Sequence, residues 1–496
     1  MRKLFVGRYM TSSFFCVAMS FATVQSTQAQ TTVPDNAKPT CVVSQSEIDS
    51  WFVGGSVTDN GQVNPADSTA PIFGNFADNT RCDFYKWGAQ MFLWLTTPES
   101  GSFVFDSSVF FDVIHDGSSY KMIPNTGGYD GNAFALRALK GADPIDGTGQ
   151  AGGSGVLISQ ENSLTYYGMN VNDVYAHYLT GQKAGAFANT PIANDYPTTQ
   201  ADLELVQDYA GQEFPDGQAL AMEIKTSWVD ASTVPNKDDY VLIEALVPNF
   251  DRGDTVWTLL AKPEPMQLAM VGMHVVGSVT GHPELIWSTF EHIDNAPDNA
   301  YYYTNTSDQN TKVDFNSSGN WLFMKDGGAN TNVIPEYQSV CSSTDVTDKL
   351  CPSVGDIFLN AGSGASKIQA VDVVRINPWG GLPDSTDSAV VANATDLVSI
   401  NSSVMQALNS VEDLRGNYIQ TGGIWSAEGQ IPVSGTDSVL RGSLSLSNAT
   451  METYHQFSTA PGGSSTNNCF TCHSVGSGSP GVDVSHIFNG LEPLNN

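Results

Sequence analysis

Close to the C-terminal end stand Cys469, Phe470, Thr471, Cys472 and His473, a C-x-x-C-H run. Two thiols at this spacing can each form a thioether to one of a porphyrin's two vinyl groups. The histidine that follows is then placed under the iron as proximal ligand. The run predicts covalent attachment of one haem c, with Cys469 and Cys472 as attachment points and His473 as an iron ligand. Half of a zinc site is the competing chemistry. Zinc needs a second ligand pair, and the chain has no second C-x-x-C and no pair of histidines at finger spacing.

The iron's second axial face decides what such a centre does. Two strong ligands make an electron-transfer centre, whereas an open or labile face admits peroxide or small ligands. Three candidates lie near the motif: His486, 13 residues after His473, His455, 14 residues before Cys469, and Met451. The stretch to His486 spans roughly 40 Å when extended, enough to pass round a haem edge, and its Gly, Ser and Pro residues suit a wrapping loop. His486 lies among Val484, Ile487 and Phe488, as a haem-packing segment requires, so it is the preferred sixth ligand and second metal-binding residue. An ordinary buried histidine, a ligand from the body of the chain, and an open face stay as alternatives.

A second chemically suggestive stretch runs from Met270 through His274, Gly281 and His282 to Glu291 and His292. Three histidines and a glutamate invite a metal site, but a hairpin turning near Gly281 argues against it. His274 would lie opposite about Ser288, and His292 would be roughly 13 Å further along the strand. On that register His274 and His292 share one face of the sheet and Glu291 points to the other. Lys225 beside Trp228 and Arg375 near Trp379 are looser pairings. No serine-hydrolase arrangement and no nucleotide-binding glycine motif occurs, and catalytic residues are not identified.

The elements that must hold these residues begin with a leader. Arg2, Lys3 and Arg8, an apolar stretch over 14–24, and Thr27-Gln28-Ala29 match the parts of a secretory signal peptide. Removal of residues 1–29, and of Cys16 with them, sends the chain to a bacterial periplasm or out of the cell, where c-type haem is attached. No later stretch has the length of a membrane span. Of seven cysteines, Cys41, Cys82, Cys341 and Cys351 then remain for two disulfides. The local closures, Cys41 with Cys82 and Cys341 with Cys351, are favoured among three connectivities, each worth roughly 2–4 kcal/mol.

The chain carries 52 acidic against 21 basic residues, a formal net charge of −31. That sign repels nucleic acid and anionic lipid, and favours a cationic partner or simple solubility. Charged residues are only 15% of the total, below the usual quarter, and Gly, Ser, Thr and Asn take their place. This is the mix of a loop-rich, β-rich secreted protein with material for a real core.

Residues 30–80 are rich in turn formers and read as an irregular arm. Asp83 is placed to cap a helix through Leu95, with Phe84, Trp87, Met91 and Leu95 at helical spacing. Strands are expected over 103–105, 109–114, 240–247, 256–261, 268–276, 284–293, 321–324 and 370–376. Helices are expected over 132–139, 201–209 and 403–414, with a short one over 449–456 capped by Asn448. Strands in runs with helices set apart predict α+β: a large, mostly antiparallel β-rich domain over 30–440 with interspersed helices, possessing room for two subdomains. A short haem-binding segment, 441–496, follows it. Only 23 residues come after His473 and none is Met, unlike a self-standing class I cytochrome c domain, so the haem must lean on the larger body.

Residues 287–295 (WSTFEHIDN), the stretch from Asn448 to His473, and the region from Cys82 to Leu95 resemble bacterial exported cytochrome c family proteins with a single C-terminal C-x-x-C-H motif. The similarity runs over most of the chain after the leader. It implies a monohaem, exported protein and carries over only Cys469, Cys472 and His473. Residues and resemblance together predict electron transfer through a covalent haem to an unidentified redox partner protein. A haem-dependent oxidoreductase with its substrate site in the large domain, and a binding protein with structural haem, are the alternatives.

Overall fold

A computed structural model describes residues 31–115, 119–125, 156–316, 319–325, 337–339, 356–359, 366–456 and 467–494. The leader, Cys16, Cys341, Cys351, the helix expected over 132–139 and the link at 461–465 lie outside the described residues.

Nine strands form one antiparallel sheet on which the rest is laid. In chain order they are β1 (Phe110–His115), β2 (Tyr120–Pro124), β3 (Tyr166–Asn172), β4 (Met222–Asp230) and β5 (Leu242–Val247), then β6 (Glu264–Val279), β7 (His282–His292), β8 (Tyr418–Ser426) and β9 (Leu440–Gly442). Across the sheet the order is β9-β8-β7-β6-β4-β3-β1-β2, with β5 pairing the first half of β6. The fold is α+β and β-rich, as expected.

β6 and β7 make the central hairpin, turning at Gly281, whose φ of +79° is open to glycine at no steric cost. The hairpin closes on two residues, Thr280 and Gly281, with Val279 paired to His282, and an irregularity between Gly277 and Val279 moves the pairing two residues further, so His274 lies opposite Thr289 and not Ser288. Side chains alternate along a strand, and a slip of one residue reverses which of them share a face. His274 therefore shares its face with Thr289 and Glu291, while His292 points to the other side. This corrects the expectation that His274 and His292 lie together with Glu291 opposed.

Helices cover both faces. α1 (Arg81–Leu95) and α4 (Ser388–Asn409) lie on one, beneath Val275 and Phe290. α2 (Asp173–Lys183), α3 (Gln200–Ala210) and the C-terminal segment with α5 (Cys469–His473) lie on the other, against Val276 and Trp287. α1 follows the expected aromatic spacing: Phe84 stacks on Trp425 at 4.4 Å and Phe92 on Phe290 at 4.5 Å. Each such pair is worth about 0.5–1.5 kcal/mol beyond burial. The helix begins two residues before Asp83; Thr80 is the cap, and its N–H donates to the Asp83 carboxylate at 2.7 Å. Gly88 lets α1 settle onto the sheet, since a Cβ there would stand 2.4 Å from Ser288 Oγ.

The arm is less irregular than expected: Ser44 caps a helix, Gln45–Trp51, that buries Ile48 and Trp51. Cys41 is disulfide-bonded to Cys82, across a sequence separation of 41, which ties the arm to the first turn of α1. Closing a loop of that length is worth about 4 kcal/mol on the chain-entropy model.

Several expected elements are corrected. Over 103–105 only Ser102–Phe103 is strand, and Val104–Asp106 is a 3-10 turn. Trp321 and Met324 form an isolated bridge, not a strand. The stretch 370–376 is extended without a partner strand, because Val371 N–H donates to Ile158 and Val373 N–H to Phe323, on two separate loops. The helix expected over 403–414 is the end of α4, which starts at Ser388 behind an Asp387 cap. Residues 449–456 form turns in place of a helix, because side chains take the backbone donors that a helix would use. Asn448 Oδ1 accepts from the Thr450 and Met451 N–H, both at 2.9 Å, and Glu452 from Ser447 and Asn448. The boundary expected at 440/441 falls inside β9, the edge strand of the sheet.

Candidate functional site

α5 carries Cys469, Cys472 and His473 on one short helix laid across the sheet face that bears Trp287. Its anchor is Phe470, wholly buried against the Trp287 ring. Cys469 is half-buried and Cys472 exposed, both as thiols. His473 Nδ1 donates to the Val484 carbonyl at 2.8 Å. A carbonyl only accepts, so the proton sits on Nδ1 and the lone pair on Nε2, the tautomer in which a histidine binds a metal through Nε2. The ring is braced by Trp287 at 4.3 Å and by His486, which stacks on it at 3.8 Å with 14° between planes.

The segment supplying Val484 is itself fastened to the sheet. Ser485 Oγ donates to Glu223 of β4 at 2.6 Å and lies 2.9 Å from the Tyr175 hydroxyl of α2. Further along, Glu492 N–H donates to Tyr120 of β2 at 2.9 Å. Burial pushes the Glu223 carboxyl up to about 7.

The candidates for the sixth ligand are spread apart. His486 donates from Nε2 to the Cys472 carbonyl at 3.0 Å. It lies face to face with the His473 ring. As placed, it braces His473, and service as an iron ligand would require it to leave both the stack and the Cys472 carbonyl. Met451 is buried in the main core, a different cluster from the one that holds Phe470. His455 is half-buried, and its carbonyl accepts from Asn467 Nδ2 at 2.9 Å, two residues before Cys469.

The donor set fits a c-type haem: two thiols and an oriented imidazole on one helix. No group of three or more His, Cys, Asp or Glu able to hold a metal occurs among the described residues.

Beside Cys469 the same face opens into a small recess, walled also by His274, Trp287, Ile424 and Glu452. Around it, a polar stripe runs across the strands on the same face. Glu223 and Lys225 of β4 lie opposite Val276 and His274 of β6, and His274 opposite Thr289 of β7. His274 Nε2 is 3.7 Å from Glu452 Oε1. Burial, helped by the nearby Lys225 charge, pushes His274 down to about 3. Burial pushes Glu452 up to about 7 against two backbone hydrogen bonds.

The other histidines of the hairpin serve packing. His282 Nδ1 meets Glu284 at 2.8 Å, and its Nε2 meets the Phe73 carbonyl at 3.2 Å. His292 stacks on Tyr240 at 3.7 Å and donates from Nε2 to the Asp239 carbonyl at 3.2 Å. Burial pushes it down to about 3. Glu291 is paired with Arg375, both wholly buried. His274 alone among the three faces the candidate site.

Glu223, Glu452 and the part played by Trp287 carry no motif. In β4, polar Glu223, Lys225 and Ser227 alternate with apolar residues, which reads as a solvent face; here that face is covered by the C-terminal segment. No long apolar helix able to cross a membrane occurs among the described residues. No family model matches the chain, and neither a search of curated proteins nor one of solved structures gives a match.

Proposed function

We propose that this chain is an exported monohaem protein, similar to bacterial cytochrome c family proteins, that transfers electrons through a haem joined to Cys469 and Cys472 and ligated by His473. The observation that carries the reading is the Nδ1 hydrogen bond from His473 to Val484, which orients the imidazole for a metal at Nε2. The haem supplies a one-electron redox centre. Phe470 roots the helix, the Val484 carbonyl fixes the His473 tautomer, and Trp287 and His486 limit the ring's rotation. An acidic surface favours a basic redox partner, an attraction that weakens as salt rises.

The test is expression with c-type haem attachment machinery, followed by acid–acetone extraction. Haem that stays with the denatured polypeptide, and is lost in Cys469→Ala with Cys472→Ala, is the expected result; extractable haem overturns the reading. His486→Ala is expected to keep the coordination number seen in the optical and resonance Raman spectra. A drop from six-coordinate to five-coordinate would make His486 the sixth ligand after all.

A second reading is a haem-dependent oxidoreductase with its substrate site in the large domain, for which the recess at His274 and Glu452 beside Cys469 is the candidate entrance. Rapid change of the spectrum with cyanide or CO supports it, and a six-coordinate centre inert to both supports the carrier.

A further inference from the structure

The carbonyl that His473 Nδ1 meets lies in the peptide plane shared by Val484 and Ser485. A peptide unit is rigid from one Cα to the next, so whatever holds the Ser485 Cα also aims the Val484 oxygen. In that plane the Ser485 N–H is tied to the Val482 carbonyl at 3.2 Å, the long end of the range for such bonds. The side chain is held more closely. Ser485 Oγ donates to Glu223 Oε2 at 2.6 Å and accepts from the Tyr175 hydroxyl at 2.9 Å.

Both partners are themselves fixed. Glu223 stands in β4 opposite Val171 of β3 and Val276 of β6, and Tyr175 stands in the first turn of α2. One side chain joins them: Asn172 Oδ1 accepts from the Tyr175 N–H at 3.0 Å and from the N–H of Met222, next to Glu223, at 2.9 Å. Ser485 and Tyr175 are 2% and 1% exposed, so water does not compete for these bonds. Docking alone does not call for a carboxyl here. Phe488 already seats the segment among the rings of Tyr175, Tyr178 and Tyr196, all within 5.9 Å, and burial penalises the charged form of Glu223. What the carboxyl adds is direction.

We propose that Glu223 is a positioning residue for His473: through Ser485 it aims the Val484 carbonyl at Nδ1, keeps the proton on that nitrogen, and so lowers the reduction potential of the centre. A firmly held acceptor draws on the Nδ1 proton and makes the imidazole a stronger donor at Nε2. A stronger donor favours the oxidised metal, hydrogen bonding around the ligands being one of the protein's levers on potential. With the tie gone the carbonyl swings, the bond weakens and the potential rises. The hold on His473 concerns the chain alone, and the effect on potential rests on the haem reading.

The test compares Ser485→Ala, Glu223→Met and Glu223→Gln in two measurements. In the haem-loaded protein, spectroelectrochemical titration is expected to give a higher potential in Ser485→Ala and Glu223→Met, by about tenfold in the one-electron equilibrium constant, or about 59 mV. Glu223→Gln loses the charge but keeps an acceptor for Ser485, so it stays close to wild type. In the haem-free chain, nitrogen NMR of labelled histidine is taken well above the ordinary histidine titration. It should show His473 protonated at Nδ1 alone in wild type and Glu223→Gln, and a mixture of tautomers in the other two. A purely structural role would lower stability and move neither reading. Either reading unchanged in Ser485→Ala overturns the proposal. So does Glu223→Gln shifting as far as Glu223→Met, the sign of charge acting through space. If Glu223→Met fails to fold, by circular dichroism, Ser485→Ala carries the test. Absence of covalent haem ends the proposed function instead, and the haem-free measurement still decides whether Glu223 holds His473.

Discussion

Glu291→Gln tests how the loop over the recess is held. Glu291 and Arg375 are 0% and 1% exposed. Arg375 Nε donates to Glu291 Oε2 at 2.8 Å, a second guanidinium nitrogen reaches the same oxygen, and Asp298 closes the other side of the guanidinium. The remaining oxygen, Oε1, accepts from the Ala449 and Thr450 N–H groups. A glutamine has one acceptor for these two sets of donors. Whichever way it turns, its NH2 meets either the guanidinium or the loop N–H groups, donor against donor. Removing one partner of a buried ion pair costs about 3–5 kcal/mol, and that range is expected here. Guanidinium denaturation should show a lower midpoint at unchanged slope. Arg375→Met strands two buried carboxylates and should cost a similar amount, while the double variant should cost less than the sum by about 1–3 kcal/mol. A loss under about 1 kcal/mol for Glu291→Gln, at unchanged slope, would refute the reasoning: Asp298 alone would then satisfy Arg375, and the loop would be held by other contacts.

Three further outcomes follow from the packing. Reducing the Cys41–Cys82 bond, or Cys82→Ser with Cys41→Ser, should lower stability by about 4 kcal/mol on the chain-entropy model, read as a shift of the denaturation midpoint. Gly88→Ala should cost about 1–3 kcal/mol by pushing α1 off Ser288, and pairing it with Ser288→Gly should recover part of the loss. Burial raises the Asp173 carboxyl to about 7, above its unfolded value. Its contribution is thus full below about pH 4 and is lost as pH rises through 7. Between pH 5 and 8 wild type should lose on the order of 3 kcal/mol more than Asp173→Asn, and parallel stability–pH curves would contradict this.

α1 was legible because Phe84, Trp87 and Met91 repeat at helical spacing with one side on the sheet. The β6–β7 hairpin was legible from its long apolar strands and Gly281. Its register was not, because the chain turns on two residues, Thr280 and Gly281, and not on Gly281 alone, and that single step exchanges His292 for Glu291 on the site face. α4 was half seen: from Asn393 to Asn401 every residue is buried, polar Asn393, Thr395, Asp396, Ser399 and Asn401 among them, so no amphipathic stripe marks that stretch. β3 and β4 were missed for a related reason, polar residues at alternate positions on a face that another part of the chain covers. The C-x-x-C-H motif is local and could be read directly. The His274–Glu452 pair is a product of tertiary structure, and no local pattern announces it.

The C-terminal segment is fastened by residues far from it in the chain. Ser485 meets Glu223 across 262 positions and Tyr175 across 310, and Ser119 meets Glu492 across 373. Contacts so distant form only after the intervening chain has been ordered. Docking of α5 therefore needs the strands beneath it in place, and until they pair it stays displayed. The two thiols are thus reachable during that interval, and Phe470 closes the site once its socket at Trp287 exists. Under the proposed function the sheet would time haem attachment: a variant that completes β6 and β7 slowly would widen the interval, and one that assembles them quickly would shorten it.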